Sequence, residues 1–238
     1  MSSNFHSDGT LFIVSGPSGA GKTTLIERVR EQLSPLGIDL YFSVSHTTRR
    51  ARTGEIPGQS YYFVTDPEFD GMVARGEFLE WAHVHAHRYG TSKAEVWDRL
   101  QHGVDVIVDI DYQGARQIAS DGELEPRSLS IFIFPPSLES LERRLHSRGL
   151  NTEAEIELRL KKAIDEIDEG KDFYRYIIIN DSLDAATECL KAAIIAKKLQ
   201  TKTALEAIAR MAERFKEEDW RKIENEKLKI EKQIGESS

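Results

Sequence analysis

The feature that most constrains this chain is eight residues long. Gly16-Pro17-Ser18-Gly19-Ala20-Gly21-Lys22-Thr23 satisfies the pattern G-x-x-x-x-G-K-[ST]. An apolar run, Leu11-Phe12-Ile13-Val14, precedes it, and a helical pattern over Lys22 to Leu33 follows it. Strand, glycine-rich turn and helix, in that order, is the context in which this pattern cradles phosphate. The glycines let backbone N–H groups turn inward around phosphate oxygens, and the start of the helix adds its positive end. Lys22 can reach the β- and γ-phosphates, and the Thr23 hydroxyl can ligate Mg²⁺. Pattern and context together weigh against a chance glycine-rich turn. They predict nucleoside triphosphate binding.

The remaining apolar runs predict an α/β core around this loop. Val104 to Ile110, Ser130 to Phe134 and Tyr176 to Ile179 are short runs of Val, Ile, Leu and Phe, read as parallel strands covered on both faces. Ser137 to His146 and Thr152 to Glu169 show helical spacing. In the second of these, Ile156, Leu160, Ile164 and Ile167 share one predicted face, and Thr152 is placed to cap it with Glu155. Such alternation signals a parallel sheet with right-handed crossovers. The stretch from Ser43 to His87 breaks the rhythm, with turn signals at Thr53-Gly54 and Pro57-Gly58, and reads as a small β-rich lobe inserted into the core.

Composition narrows the partners. Lys+Arg 32 against Asp+Glu 40 leaves a net charge of −8 over 238 residues, which argues against a chain built to coat nucleic acid or anionic lipid. The single cysteine, Cys189, excludes an internal disulfide framework and fits a reducing cytosol. No apolar run approaches the roughly 18–20 residues that span a bilayer. Met1 to Thr10 lacks the basic-then-apolar layout of a signal peptide. The expectation is a cytoplasmic protein with no nucleic-acid or membrane partner. Between Ala212 and Lys232 acids and bases alternate, with Glu217–Arg221 and Glu218–Lys222 at helix-favouring spacing. Leu205, Ile208, Ala212 and Phe215 make an apolar stripe that fades, so a solvated terminal helix is preferred to a coiled coil.

Two further clusters bear on chemistry. Val106-Ile107-Val108-Asp109 is a strand ending in a carboxylate, the arrangement that holds a metal or its water shell beside a phosphate loop. Asp111, two residues on, falls on the same face by strand period. The inserted lobe begins Ser43-Val44-Ser45-His46-Thr47-Thr48-Arg49-Arg50-Ala51-Arg52-Thr53-Gly54-Glu55. Arginines this dense suggest an anion site, since Arg gives bidentate contacts to phosphate, with an exposed basic turn as the plainer alternative.

These residues, with Phe78-Leu79-Glu80-Trp81, Tyr89-Gly90-Thr91, Asp109-Ile110-Asp111, Gln113-Gly114, Phe134-Pro135-Pro136-Ser137, Arg148-Gly149 and Asn180-Asp181, resemble the guanylate kinase family, bacterial type. The resemblance runs from about Gly9 through Leu199. It implies a P-loop parallel-sheet α/β core (residues 9–42, 96–136 and 171–203), an inserted GMP-binding lobe (43–95), a helical lid (137–170) and a charged extension (204–238). It implies the reaction ATP + GMP to ADP + GDP with Mg²⁺ as cofactor, dGMP and self-association being left open. Gly16 to Thr23, Thr24 and Asn180 would then bind ATP, and Thr23 and Asp109 would hold the metal, partly through water. Arg49, Arg52, Tyr61 and Tyr89 match positions that hold the GMP phosphate; Ser45, Glu80, Thr91 and Asp111 match positions that read guanine. A carboxylate at Glu80 suits that task, because guanine offers an N1–H and an amino group together and adenine does not. Lys22, Arg49, Arg144, Arg148 and Arg159 match the charge-neutralising set, while Arg143 falls outside the matched positions and reads as an ordinary polar helix face.

On burial habits alone, Glu80 reads instead as a surface glutamate beside a core Trp81. The chain departs from the family at Ala51, at Ala86-His87-Arg88 and at Arg175, none of them a matched chemical residue. His83, His85 and His87 alternate at strand spacing, which a zinc site would also do, although half-exposed strand histidines are the preferred reading. A ribosyl phosphate kinase on the same scaffold and a catalytically dead peptide-binding module are the competing functions. The guanine-reading set argues against the first and the intact phosphate loop against the second.

Overall fold

Leu11–Ser15 forms β1, buried along its whole length, and everything else in the core is arranged around it. The computed structural model describes residues 9–84, 86–147, 152–170 and 173–200, and those up to Lys197 belong to one compact unit, Asp8–Lys197. After β1 come α1 (Lys22–Leu33), β2 (Leu40–Phe42), β3 (His46–Thr47), β4 (Tyr62–Phe63), α2 (Asp66–Ala74), β5 (Phe78–Val84), β6 (His87–Ser92) and α3 (Lys93–Gln101). The chain continues through β7 (Asp105–Asp109), α4 (Tyr112–Ala119), β8 (Ser128–Phe134), α5 (Leu138–Ser147), α6 (Glu153–Gly170), β9 (Tyr176–Ile179) and α7 (Leu183–Lys198).

The core sheet has the order β2-β7-β1-β8-β9 with every pairing parallel. Strand alternation divides its apolar side chains between two layers. Phe12, Val14, Ile107, Ile131 and Ile133 pack with Leu25, Ile26 and Val29 of α1 and Leu190 and Ile194 of α7. Leu11, Ile13, Val106, Val108 and Phe132 pack on the other face with Val96 and Leu100 of α3 and Ala115 and Ile118 of α4. The expected layout is therefore present, with one correction at the edge. Tyr176, Ile177 and Ile179 are exposed and only Ile178 is buried, because β9 has a neighbour on one side and packs one face.

The inserted lobe is a second sheet, β4-β3-β6-β5, with an antiparallel β5–β6 hairpin. It also contains a helix that the alternating pattern hides. Thr65 caps α2 by accepting from the Glu68 N–H, and the Glu68 carboxylate accepts the Thr65 N–H, a capping box with Pro67 in the first turn. Arg88 fastens α2 to β6, pairing with Asp66 and Asp70 while lying 4.6 Å over the Phe69 ring. The hairpin also corrects the histidine reading. His83 is on β5, opposite Arg88, and His87 is on the returning strand β6, so the two are separated by a turn rather than spaced along one strand. His85 lies outside the described residues.

Helix α6 is capped as its sequence predicts, with the Thr152 N–H donating to Glu155. Ile156 and Ala163 are buried with Leu141 and Leu145 of α5, Leu160 and Ile167 are half-buried, and Ile164 faces solvent, Ala163 taking its place in the packed face. The charged C-terminal stretch, from Leu205 onward, lies outside the described residues.

Candidate active site

The phosphate loop sits between β1 and α1 and exists in this shape only because its glycines allow it. Gly16 has φ +142°, and a Cβ there would stand 2.2 Å from the Ile133 carbonyl oxygen. Gly21, the N-cap of α1, has φ +92°, and a Cβ there would stand 2.5 Å from Asn180 Nδ2. The first turn of α1 carries no acid, so its free N–H groups and positive end meet an anion without competition. Lys22 Nζ donates to the Gly16 carbonyl at 2.7 Å and lies 3.5 Å from Asp109 Oδ1. Thr23 Oγ1 donates to Asp109 Oδ2 at 3.4 Å. A hydroxyl and a carboxylate thus converge beside the ammonium, a hard oxygen donor set of the kind Mg²⁺ takes.

Thr24, Gly19, Gly21, Arg144 and Asn180 line a cleft of about 330 Å³ at the outer end of the loop. Pro17, Ser18 and Ala20 complete the loop; Ala20 and Pro17 are buried and Ser18 is exposed. Asn180 does more than border this cleft. It is buried, and its side-chain N–H donates to the Ala20 carbonyl at 2.7 Å, so it pins the loop from β9. Arg144 donates to the Asn180 carbonyl at 2.8 Å and to Ala20 at 3.4 Å, and Arg159 Nη1 donates to Ser18 Oγ at 2.7 Å. Arg144 of α5 and Arg159 of α6 therefore both touch the loop. Arg148 lies outside the described residues. Arg143 is exposed and pairs with Glu139 at 3.8 Å, as its reading predicts.

The second anion cradle lies in the lobe. Arg49 Nε donates to the Tyr89 hydroxyl at 3.2 Å, and its guanidinium lies 5.3 Å from the Tyr61 ring centre. Tyr61 and Tyr89 meet edge-on at 5.8 Å. Arg52 is exposed, and its backbone N–H donates to Glu55. Glu55, noted in the sequence only as a landmark, takes the Arg49 fork with both carboxylate oxygens. Burial, with the Asp109 carboxylate beside the phosphate loop adding to it, pushes the Tyr61 phenol up to about 12.

Deeper in the lobe, Glu80 is 4% exposed and accepts the Thr91 N–H at 2.9 Å. This corrects the surface-glutamate reading, since β5 points Glu80 inward and leaves Trp81 half-buried. Gly114 lets it sit there, because a Cβ on Gly114 would stand 2.2 Å from Glu80 Oε2. Burial pushes the Glu80 carboxyl up to about 7, and the neighbouring Asp111 carboxylate pushes the same way. Thr91 is fully buried beside this carboxylate, and its side chain draws the Glu80 carboxyl the other way, downward. Ser45 is half-buried beside β3, its carbonyl accepting the Tyr62 N–H. Asp111 is not on the strand with Asp109: β7 ends at Asp109, and Asp111 caps α4 by accepting the Gly114 N–H at 3.0 Å. Burial raises its carboxyl as well.

The sequence reading passed over two residues of α6. Lys162 acts electrostatically on Asp111, and Glu166 lies within the field of Lys22, while burial raises the Glu166 carboxyl. Both were legible as the continuation of the Arg159 stripe at helical spacing.

The guanylate kinase family model matches residues 8–197. A guanylate kinase of Dechloromonas aromatica (strain RCB) is 47% identical over 191 residues, covering 80% of this chain and 91% of that one. A guanylate kinase of Vibrio cholerae serotype O1 is 47% identical over 192 residues, covering 81% and 90%. The crystal structure of guanylate kinase from Anaplasma phagocytophilum superposes with a TM-score of 0.66 at 32% identity, over 82% of this chain and 89% of that one.

Proposed function

The chain belongs to the guanylate kinase family, and from that membership we propose which of its residues carry each part of the reaction. It transfers the γ-phosphoryl group of ATP to GMP, giving ADP and GDP. The observation that carries the residue assignments is that Asp109, which Lys22 and Thr23 contact, also acts on the phenol of Tyr61, which borders Arg49 in the lobe.

ATP lies along the loop from Gly16 to Thr23 and Thr24, its phosphates replacing the Gly16 carbonyl as the partner of Lys22. GMP lies in the lobe, its phosphate held by Arg49, Arg52, Tyr61 and Tyr89. Guanine fills the pocket of Ser45, Glu80, Thr91 and Asp111. An oxygen of the GMP phosphate attacks the γ-phosphorus as the bond to the β,γ-bridging oxygen breaks, and that oxygen leaves on ADP. No general base is required, because the attacking oxygen is already ionised; catalysis consists of alignment and charge neutralisation. Thr23 and Asp109 would hold Mg²⁺, partly through water, and the ion would supply neutralising charge at the β- and γ-phosphates. Lys22, Arg49, Arg144 and Arg159 supply fixed positive charge around the transferred group, with Arg148 proposed to join them. Closing α5 and α6 over the phosphates would exclude water and suppress hydrolysis of ATP.

We assign residues 9–203 to this catalytic domain, with the lobe at 43–95 and the lid at 137–170, and 204–238 to an extension. No helix among the described residues is long and apolar enough to cross a membrane. The cytoplasm, where ATP and GMP meet in purine nucleotide metabolism, fits that composition and the lone cysteine.

The test is ADP formation in a coupled assay with GMP, dGMP, AMP, CMP, UMP and a ribosyl phosphate as acceptors. GMP is expected to be preferred over AMP by orders of magnitude. Preference for the ribosyl phosphate, or ATP binding without transfer to any acceptor, would overturn the assignment.

A further inference from the structure

Tyr61 stands immediately before β4 and Tyr62 is its first residue, and the extended chain sends the two side chains to opposite sides. Tyr61 faces Tyr89 and Arg49 in the phosphate cradle. Tyr62 turns the other way, and its hydroxyl donates to Glu95 Oε1 at 3.1 Å. The second oxygen of the same carboxylate, Oε2, accepts the Tyr41 hydroxyl at 2.5 Å. Tyr41 belongs to β2 of the core sheet and Tyr62 to β4 of the lobe sheet, while Glu95 lies in the first turn of α3, 9% exposed. One buried carboxylate therefore grips both sheets.

Its surroundings hold it in place. Arg99, one turn along α3, lies 3.7 Å from Glu95 Oε2, and its guanidinium sits 3.7 Å over the Tyr41 ring. Beyond Tyr62, the ring stacks on His46 at 4.7 Å, and His46 meets Phe78 edge-on. Burial and the bond to Glu95 push the Tyr41 phenol up to about 12, and the bond to Glu95 raises that of Tyr62, so both remain donors under working conditions. A buried carboxylate between two phenols is a costly way to fill space, since apolar side chains of similar volume would do so without desolvating a charge. What it supplies is direction: hydrogen bonds to a charged acceptor fix distance and angle where apolar packing tolerates sliding.

We propose that Glu95 is a positioning residue that, through Tyr41 and Tyr62, sets the place of the acceptor-phosphate cradle relative to the phosphate loop. None of the three is assigned to either substrate. The proposal rests on reading the cradle of Arg49, Tyr61 and Tyr89 as the GMP phosphate site.

The experiment compares Tyr41→Phe, Tyr62→Phe and the double variant with the wild-type full chain, measuring KM for GMP and for ATP, the calorimetric Kd for GMP, and Tm. Each single change removes one hydroxyl and keeps its ring. Each is expected to raise KM and Kd for GMP by about fivefold or more, with KM for ATP within about twofold. The double variant is expected to cost less than the product of the singles, because both hydroxyls act through Glu95. A lowered Tm with GMP constants unchanged would overturn the proposal, leaving only a structural fastening, and so would an equal rise for both substrates. Failure of the wild type itself to bind GMP would overturn the acceptor-site assignment and this proposal with it, and is told apart from failure of the proposal alone by that wild-type measurement.

Discussion

Arg49 meets Glu55 end-on: Nη1 donates to Oε2 at 2.9 Å and Nη2 to Oε1 at 2.8 Å. The other Nη1 hydrogen goes to the Arg50 carbonyl at 2.7 Å. Of the five guanidinium N–H groups, three are taken in this way and Nε donates to the Tyr89 hydroxyl, which leaves the second Nη2 hydrogen, on the side-on edge toward Tyr89. A phosphate can approach on that edge beside the Tyr89 hydroxyl without displacing Glu55, and we propose that Glu55 aims the guanidinium.

Replacing Glu55 with Gln keeps the shape and loses the charge-assisted fork. KM for GMP is expected to rise about tenfold, with KM for ATP unchanged, in steady-state assays with each substrate varied. A lower KM for GMP would show that Glu55 competes with the phosphate instead of orienting its arginine.

Lys22 makes its closest contact with the loop's own Gly16 carbonyl. Lys22→Ala removes the ammonium assigned to the β- and γ-phosphates. Turnover is expected to fall by about 100-fold or more with Tm nearly unchanged. Near-normal turnover in a folded variant would remove Lys22 from the catalytic set.

Gly114→Ala would ordinarily favour a helix by up to about 1 kcal/mol. In α4, however, the new methyl stands 2.2 Å from Glu80 Oε2, and the carboxylate is the group free to move. The expected result is a folded enzyme with KM for GMP raised about tenfold and KM for ATP unchanged. Equal KM values for wild type and variant would mean that the observed Glu80 position is not the one that reads guanine.

Burial of Glu80 gives a pH dependence of two opposite signs. Its native value of about 7 lies above the ordinary 4.5, so the folded chain retains a proton that the unfolded chain releases in that interval. Stability from this group is full below about pH 4.5 and falls as pH rises through 7. Guanine, which donates to the group, requires the carboxylate, so affinity for GMP is expected to rise over the same window. Calorimetric Kd values from pH 5.5 to 8.5 check this, with Glu80→Gln as the reference, because ionisation of the GMP phosphate is common to both proteins. A step of the same size in both would assign the titration elsewhere.

The contrast between Glu80 and Asp111 shows what the sequence could carry. The phosphate loop, α1 and the parallel core were legible because local patterns dictate them: a glycine pattern, a 3.6-residue period and continuous apolar runs. Glu80 was visible only through family resemblance, since no local pattern tells a buried strand glutamate from an exposed one. Its burial depends on Gly114, thirty-four residues away. Asp111 was placed on the wrong element because strand period was extended past Asp109, where the Gly114 N–H draws it into a cap. Helix α2 was missed although Thr65 and Glu68 spell a capping box, because two-residue alternation on either side masked it. Glu55 and Glu95 act through other side chains, which spacing along the chain does not record.

The most direct measurement of the central claim is the ratio of kcat/KM for GMP to that for AMP in Glu80→Ala. The truncation leaves guanine N1–H and its amino group without a charged partner, which costs about 2–4 kcal/mol, or roughly 30- to 1000-fold in kcat/KM for GMP. AMP offers neither donor and should change little, so the ratio is expected to collapse by that factor while the KM for ATP holds. An unchanged ratio, or equal losses for both acceptors, would contradict the assignment of guanine recognition to this buried carboxylate.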